Sequence, residues 1–584
     1  MTSIEARNWT TEYYVTNQLS CQQILENPDV LREIPLLNNL QLHDITDKQL
    51  IRFRGMVQDM YDPEYFLKQY EVKNTKTGES DIRCGMYTDA ARCLSHEEIL
   101  FDSNKNEHSE RQTYIAMSIP GLNKWVKEQN KCTETNVQKF NSTIRNDNMS
   151  KRSLDDTDIE KMDCSEPVTK KEKILTDSSD ASTSSNSNVQ NILSEEHILN
   201  FPIPIDEGKV CIVKIYDGTT LKLNQVVDII GFISLDPMLS TINSEDEMNI
   251  AEVNTHNPPA SLVPRLHAIK LIELTKSEIV NAPEIISKAQ LIRGDLQIIL
   301  SQLLFGDHLA ADYMICHLLS TIYMRRDYFC LGTFPLNITN FPASKLKMFP
   351  KEFYNFLTLF VRKSHFLEVT LENLNELALI PKKDYECNRL TSGILQLSNN
   401  THLVLDETGL TTGVLNVTGK TNYKALSDLV MFQKLDYDFK YYTMEYETDI
   451  PILIFSDVKS FIPCPVQVIL NVDAESENVY SEIIEAAHQY LNDETRLANI
   501  RQYLEVFKHT DFVFNEEITK TIQDDFVEMR SINKNFKADN LHSLMVFARL
   551  MSLSYGQTTL DIECWKKTVQ LEMERMSRLP QRER

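Results

Sequence analysis

The chain has 584 residues, 42% of them apolar and 25% charged, with a formal net charge of −24. That is enough for about four ordinary domains of a soluble globular protein, and the acidic balance argues against a function built on gripping nucleic-acid phosphates. No run reaches the roughly 18 uninterrupted apolar residues of a membrane span, and the N-terminus lacks a signal-peptide core, so a cytosolic or nuclear protein without membrane contact is expected.

Eleven cysteines with no C-x-x-C pair fit reduced thiols and argue against a disulfide framework or a zinc module. Residues 1–48 predict a helical lead-in: Tyr13, Tyr14 and Leu19 are spaced for one helix, and Pro28 and Pro35 punctuate the stretch beyond it. From Gln49 the pattern becomes strand-like. Leu50–Met60 leads, with Pro63 just beyond it, and Tyr65–Val72, Ile82–Tyr87 and Arg111–Ile119 come after, with the turn signal Lys76-Thr77-Gly78 among them. Short strands at this spacing predict, over 49–130, the first part of a Greek-key barrel of the OB type.

Between 131 and 199 the composition collapses to Ser, Asn, Asp, Thr and Lys with Phe140 as the one aromatic, which predicts a disordered, acidic linker. Lys151-Arg152 and the trio Lys170, Lys171 and Lys173 have the form of a split nuclear-import signal; solvated linker charge explains them equally well. Strand signals resume at Val210–Tyr216, Val226–Leu235 and Arg265–Leu274, so 200–280 reads as the second part of the interrupted barrel.

From Ser287 the reading switches to helix, with Leu291, Leu296, Leu300, Leu303 and Leu304 on one face and a nearly all-apolar helix over Leu309–Tyr323. Tyr328–Ile338, Phe366–Leu371 and Pro451–Ser456 read as strands, and Pro350–Arg362 as a helix. This alternation predicts a mainly parallel sheet flanked by helices over 287–475. Residues 480–584 read as helical, with Gly556 as a stop. The fold class is therefore mixed α/β.

The candidate site is Leu403-Val404-Leu405-Asp406-Glu407, a buried strand that ends in two carboxylates. In a nucleotide-hydrolysing domain Asp406 would help hold Mg²⁺ and Glu407 would orient the attacking water. Nothing else completes such a site. The chain has fifteen glycines and no G-x-x-x-x-G-K-[ST]. Gly413 to Thr421 has one residue too many between its glycines and comes after the Asp-Glu strand, so it is read as a hairpin turn. Thr339 to Lys345, where a phosphate loop belongs, has no glycine, and Pro342 removes a donor. Asp406 and Glu407 are read as vestigial, with no catalytic residue, cofactor or metal site expected. His317, His365 and His402 sit in apolar surroundings and read as core or boundary histidines.

Thr391–Leu397 followed by Leu403–Glu407 resembles the Walker B region of minichromosome maintenance (MCM) helicase subunits, which are AAA+ ATPases. Leu303–Asp307 looks like the segment before their phosphate loop, Ile452–Ser456 takes the place of the sensor strand, and Leu541–Ser552 is similar to the lid helix, with His542 where a second-sensor arginine would stand. The whole chain is most similar to the MCM-binding protein family. Phe53–Glu64, Glu110–Tyr114, Pro258–His267, Arg325–Asp327 and Asp436–Phe439 carry that resemblance, which covers nearly everything outside the linker.

The resemblance implies a degenerate AAA+-like body with a helical lid, in a nuclear, non-enzymatic partner of MCM helicase subunits. It further implies roles in releasing the helicase from chromatin late in replication, protecting newly made subunits, and sister-chromatid cohesion. Two rival readings are an active AAA+ ATPase and a single-strand DNA-binding module using Phe53, Tyr65, Phe66 and Tyr70 as stacking faces.

Overall fold

Strands with alternating inward and outward apolar residues build the first half of the molecule. The computed structural model describes residues 6–129, 194–237, 250–274, 282–326, 329–532 and 537–580; the basic residues Lys151, Arg152, Lys170, Lys171 and Lys173 lie outside them. Among the described strands are β1 (Leu50–Asn74), β2 (Ser80–Cys84), β3 (Glu97–Ile99), β4 (Glu107–Ser118), β5 (Val210–Ile215), β6 (Val226–Ser234) and β7 (Arg265–Glu273). The order β1-β4-β5-β7-β6 returns to β1, so five strands close a barrel. Every pair in the circuit is antiparallel except β5 with β7. Closure pairs the two edges of the circuit with each other, which is how barrels avoid exposed strand edges.

Ile51, Phe53, Tyr114, Val213, Ile229 and Leu266 fill the barrel. On β6 the intervening Ile230 and Phe232 face outward under the lead-in, packed with Trp9, Tyr14 and Leu25. Both faces of β6 are thus covered, which is why its sequence is a nearly unbroken apolar run.

The strand signals differ from the observed elements in two places. Leu50–Met60 and Tyr65–Val72 are one strand of 25 residues. Pro63 falls at a register shift between Tyr61 and Glu64, where its missing N–H interrupts no ladder pair. The half of β1 beyond that shift forms an arm with β2 and β3. In the lead-in, Asn17 divides two helices, Thr11–Thr16 and Gln18–Ile24, so Leu19 does not share a face with Tyr13 and Tyr14 and is exposed. Pro28 opens a third helix at its first position, where no N–H is needed.

In the second half, β10 (Leu336–Thr339), β11 (Ser364–Glu368), β14 (His402–Asp406), β17 (Ile452–Phe455) and β18 (Val466–Ile469) form an all-parallel sheet in the order β11-β14-β17-β10-β18. Strand β10 is separated from β9 (Phe329–Leu331), which pairs instead with β8 (Met324–Arg326), so 328–338 is not one strand. Gly332 makes the break: its φ is +111°, and a Cβ there would lie 2.1 Å from the Thr321 carbonyl.

A smaller sheet runs β13-β12-β15-β16, from β12 (Lys382–Asp384), β13 (Arg389–Thr391), β15 (Lys434–Asp438) and β16 (Thr443–Glu447). The helices Ala289–Leu303, His308–Leu319, Glu494–Lys508, Ala538–Ser554 and Ile562–Arg578 share a large apolar core with one face of the parallel sheet, in which Leu296, Met314, Phe547 and Trp565 are buried. Gly556, at φ +80°, lies just past the helix that ends at Ser554. No described helix is long and apolar enough to cross a membrane.

Candidate functional site

Open α/β sheets hold ligands outside the carboxyl ends of their strands. Here that edge is formed by the turns after β10, β14 and β17, and each is filled by the protein itself. Strand β14 ends on Asp406, with Glu407 next. The Glu407 carboxylate is 6% exposed as a residue and accepts from the Ser460 hydroxyl (3.0 Å), the Phe461 N–H (2.8 Å) and the Ile462 N–H (3.1 Å). The group that would orient water in an ATPase instead ties the turn after β17 to the turn after β14. Asp406 accepts from the Thr408 N–H (3.0 Å) and hydroxyl (2.7 Å). Burial raises both carboxyls above their ordinary range, and the hydrogen bonds only partly offset it.

The turn after β10 is equally occupied. The Asn340 N–H donates to the Asp457 carbonyl (3.1 Å), and its side chain donates to Leu470 (2.9 Å). Phe341 is buried against Phe349 and Phe455, at centroid distances of 4.7 and 5.7 Å. The Lys345 ammonium lies over the Tyr480 ring at 5.7 Å. A phosphate cradle needs convergent N–H groups and an open volume. This turn offers a bonded N–H, an aromatic ring and a proline.

Neighbouring motifs also serve structure. Asp307 caps the helix His308–Leu319 through the Leu309 and Ala310 N–H groups (3.0 and 3.2 Å), while its other oxygen takes the Asn471 N–H (2.9 Å) and the Arg578 guanidinium (2.5 Å). Gly413 to Thr421 is not a hairpin turn. Asn416 caps the helix Val417–Phe432, accepting from the Gly419 N–H at 2.7 Å, and Lys420 is exposed in its first turn. The glycines are there for closeness: a Cβ at Gly413 would lie 2.1 Å from Leu371, and one at Gly419 2.3 Å from Asn375. In the helix Ala538–Ser554, which begins near His542, Arg549 is buried with its guanidinium over Tyr323 at 4.4 Å.

Residues 389–397, which include the Thr391–Leu397 stretch that the resemblance puts before the Asp-Glu strand, form a seam between the barrel and the α/β body. Strand β13 is only three residues long and belongs to the smaller sheet. The Leu390 N–H donates to Asp59 (2.7 Å), Gln58 donates to the Leu390 carbonyl (2.7 Å), and Gln396 donates to the Gln58 carbonyl (2.9 Å). Asn200 adds a reciprocal pair, donating to Leu390 (3.0 Å) and accepting from the Ser392 N–H (2.9 Å). Burial raises the Asp59 carboxyl, which accepts from Leu390 with little water to help it.

Sequence reasoning did not find a buried polar cluster in the barrel wall. Asp89 meets Arg265 (2.9 Å), His267 (3.3 Å) and the Ser234 hydroxyl (2.5 Å). His267 is bonded through its other nitrogen to the Tyr216 hydroxyl (2.6 Å), and Lys214 bridges to Glu64 (2.9 Å), which also holds Arg111. Burial would raise Asp89, yet His267 and Arg265 hold it well below the carboxylate range; burial pushes His267 down to about 4. Asp89 and His267 line a cavity of about 10 Å³, room for one water molecule. The available signal was the period-two spacing of Lys214 with Tyr216 and of Arg265 with His267, which sets polar residues on one face of each strand.

Of the histidines noted in apolar surroundings, His317 and His402 are core groups and His365 is half-buried. The His317 and His402 rings are buried with centroids 5.7 Å apart, and His317 bonds to the Phe334 carbonyl (2.9 Å). Of the four aromatics considered as stacking faces, Phe53 and Tyr70 are buried and Phe66 packs edge-on against Tyr216; Tyr65 is 80% exposed.

A family model described as Mini-chromosome maintenance replisome factor matches residues 21–579. A Drosophila melanogaster protein named mini-chromosome maintenance complex-binding protein is 34% identical, covering 96% of this chain and 94% of its own length. Proteins of the same name from Mus musculus and Homo sapiens are 37% and 35% identical, each covering 94% of this chain and 91% of their own. With the match running through barrel, seam and α/β body alike, the chain belongs to the mini-chromosome maintenance complex-binding protein family.

Proposed function

We propose that this chain is a non-enzymatic nuclear partner of MCM helicase subunits. In this reading it regulates DNA replication by promoting release or disassembly of the helicase from chromatin, by protecting free subunits, or by both, and it contributes to sister-chromatid cohesion. The names of its relatives support MCM binding. The observation that carries the non-enzymatic part is the carboxyl edge of the parallel sheet, where Glu407 is held by three donors from one loop and Phe341 fills the position of a phosphate cradle.

We read the barrel as OB-type, which its five-strand closure supports, and the α/β body as a degenerate AAA+ domain. The body reading is supported by the strand in the sensor position, β17, lying between β10 and the Asp-Glu strand β14. A body of this outline, without nucleotide of its own, presents a subunit-like face whose engagement needs no ATP. Such a partner shifts helicase assembly by its preference for separated subunits over the closed ring. The test measures binding of the full chain to isolated subunits and to the assembled ring, with and without ATP. Tighter binding to separated subunits, unchanged by ATP, is the expected result; equal affinity for both would overturn the disassembly mechanism.

A further inference from the structure

The hairpin β15–β16 ends in Phe439, Lys440, Tyr441 and Tyr442, and Tyr385 approaches it from the end of β12. The rings hold one another in place. Phe439 and Tyr442 stack at 5.1 Å and 3°, Tyr385 and Tyr441 lie 5.4 Å apart, and the Tyr385 hydroxyl donates to the Phe439 carbonyl (3.0 Å). Yet Tyr441 is 76% exposed, Tyr442 55% and Tyr385 44%. The sheet's own core is closed beneath them by Tyr437, which is fully buried and bonded to Asn224 of the barrel (2.6 Å). The open tyrosines therefore add little to the fold. Ordered, exposed tyrosines are what interfaces use for contact at low entropic cost.

The charges around the tip say what it would take. The Lys440 ammonium already lies over the Tyr441 ring at 5.8 Å, an internal example of a cation on that face. Farther down the sheet, Asp436 and Glu445 are paired with Lys424 and Lys434 (2.9 and 2.5 Å). Asp384, Glu386 and Asp438 have no ion pair within 4 Å among the described residues; Asp438 and Asp384 accept nearby backbone N–H groups (2.8 Å each), Asp384 also faces the Cys387 thiol and Arg389, and Lys382 is the register partner of Asp438. Tyr385 senses this crowding: burial, the Tyr442 and Tyr441 hydroxyls and the Asp438 carboxylate all raise its phenol.

We propose that the tip is a docking point for a cationic, arginine-bearing segment of a partner protein, with guanidinium groups lying on the tyrosine faces and pairing with Asp438, Asp384 and Glu386. Arginine fits better than lysine because its planar, weakly hydrated cation stacks and bonds a carboxylate at once. A nucleic-acid strand, which could also stack, would bring phosphates against three carboxylates. The net charge of −24 adds long-range attraction for a basic partner. This surface assignment goes beyond the MCM reading and does not depend on it.

The test titrates full-length protein into a fluorescent Arg-Gly repeat peptide and follows anisotropy, with a Lys-Gly repeat and an oligo-dT strand in parallel. The double substitution Tyr441→Ala, Tyr442→Ala leaves the charge unchanged and should weaken Arg-Gly binding about tenfold. Asp438→Asn should weaken it about threefold, and Lys-Gly should bind several-fold less tightly than Arg-Gly. Circular dichroism of each variant should match the parent. Affinity unaltered by the double substitution would mean diffuse attraction to an acidic protein and would overturn the proposal, as would preferential binding of oligo-dT.

Discussion

The barrel and the α/β body both bury charged groups, but for opposite ends. In the barrel wall, Asp89, Arg265, His267, Lys214 and Glu64 pair their charges across the surface of β1, β5 and β7, with Asp89 entering from a turn. In the α/β body two buried carboxylates sit where loops meet: Glu407 joins the turns after β14 and β17, and Asp307 joins a helix start to the turn after β18 and to the C-terminal helix. The barrel's network is a wall reinforcement, and these two carboxylates of the body are clasps. The lesson is that a strand ending in Asp-Glu does not by itself make a site; the partners of the two carboxylates decide whether chemistry is possible.

The largest effect should come from breaking the wall. Asp89→Ala leaves Arg265 buried without its carboxylate and should destabilise the barrel by about 3–5 kcal/mol. Hydrogen exchange should show β5 and β7 losing protection while β14 and β17 keep theirs. Equal loss in both halves would mean that the seam transmits the damage and that the two regions do not act as separate units.

Acid should act next, and through histidines. Burial pushes His317 and His365 of the α/β body, like His267 of the barrel, down to about 4. A folded-state value below the unfolded value of about 6.5 means the unfolded chain holds more protons between those limits, so stability rises with pH across that window. Lowering the pH from 7 to 5 should reduce stability by about 1–2 kcal/mol per buried histidine. His317→Gln should flatten that dependence for the α/β body. A profile unchanged by the substitution would show that His317 does not carry it.

At the carboxyl edge, Glu407→Gln keeps one accepting oxygen but turns an amide NH2 toward a backbone N–H donor, and should cost about 1–3 kcal/mol. At the seam, Gln58→Ala should be milder, about 0.5–1.5 kcal/mol, because Asn200 still donates to the Leu390 carbonyl; it reads as faster exchange over 389–397 with both interiors unchanged.

How much of this was legible depends on what each signal encodes. Short apolar runs, alternating or unbroken, encode strands, and they placed β4, β5, β6, β7, β14 and β17 closely. They could not show that β1 continues through Pro63, because a register shift depends on the partner strand. Asn416 before a helical run is a cap signal that the two glycines of Gly413 to Thr421 obscured. At the candidate site, the missing glycine loop was visible in the sequence, and the filling of its place by Phe341 was not, since that depends on rings supplied by Phe349 and Phe455. The seam was invisible because Gln58 and Leu390 lie 332 residues apart, and nothing local in either marks the other.

The central claim is that the carboxyl edge of the parallel sheet is closed by the protein's own groups and takes no nucleotide. Calorimetric titration of the full chain with Mg²⁺-ATP tests it most directly. The account predicts no saturable binding and no difference between the parent and Glu407→Gln. Saturable, Mg²⁺-dependent binding at micromolar affinity, lost in that variant, would contradict it.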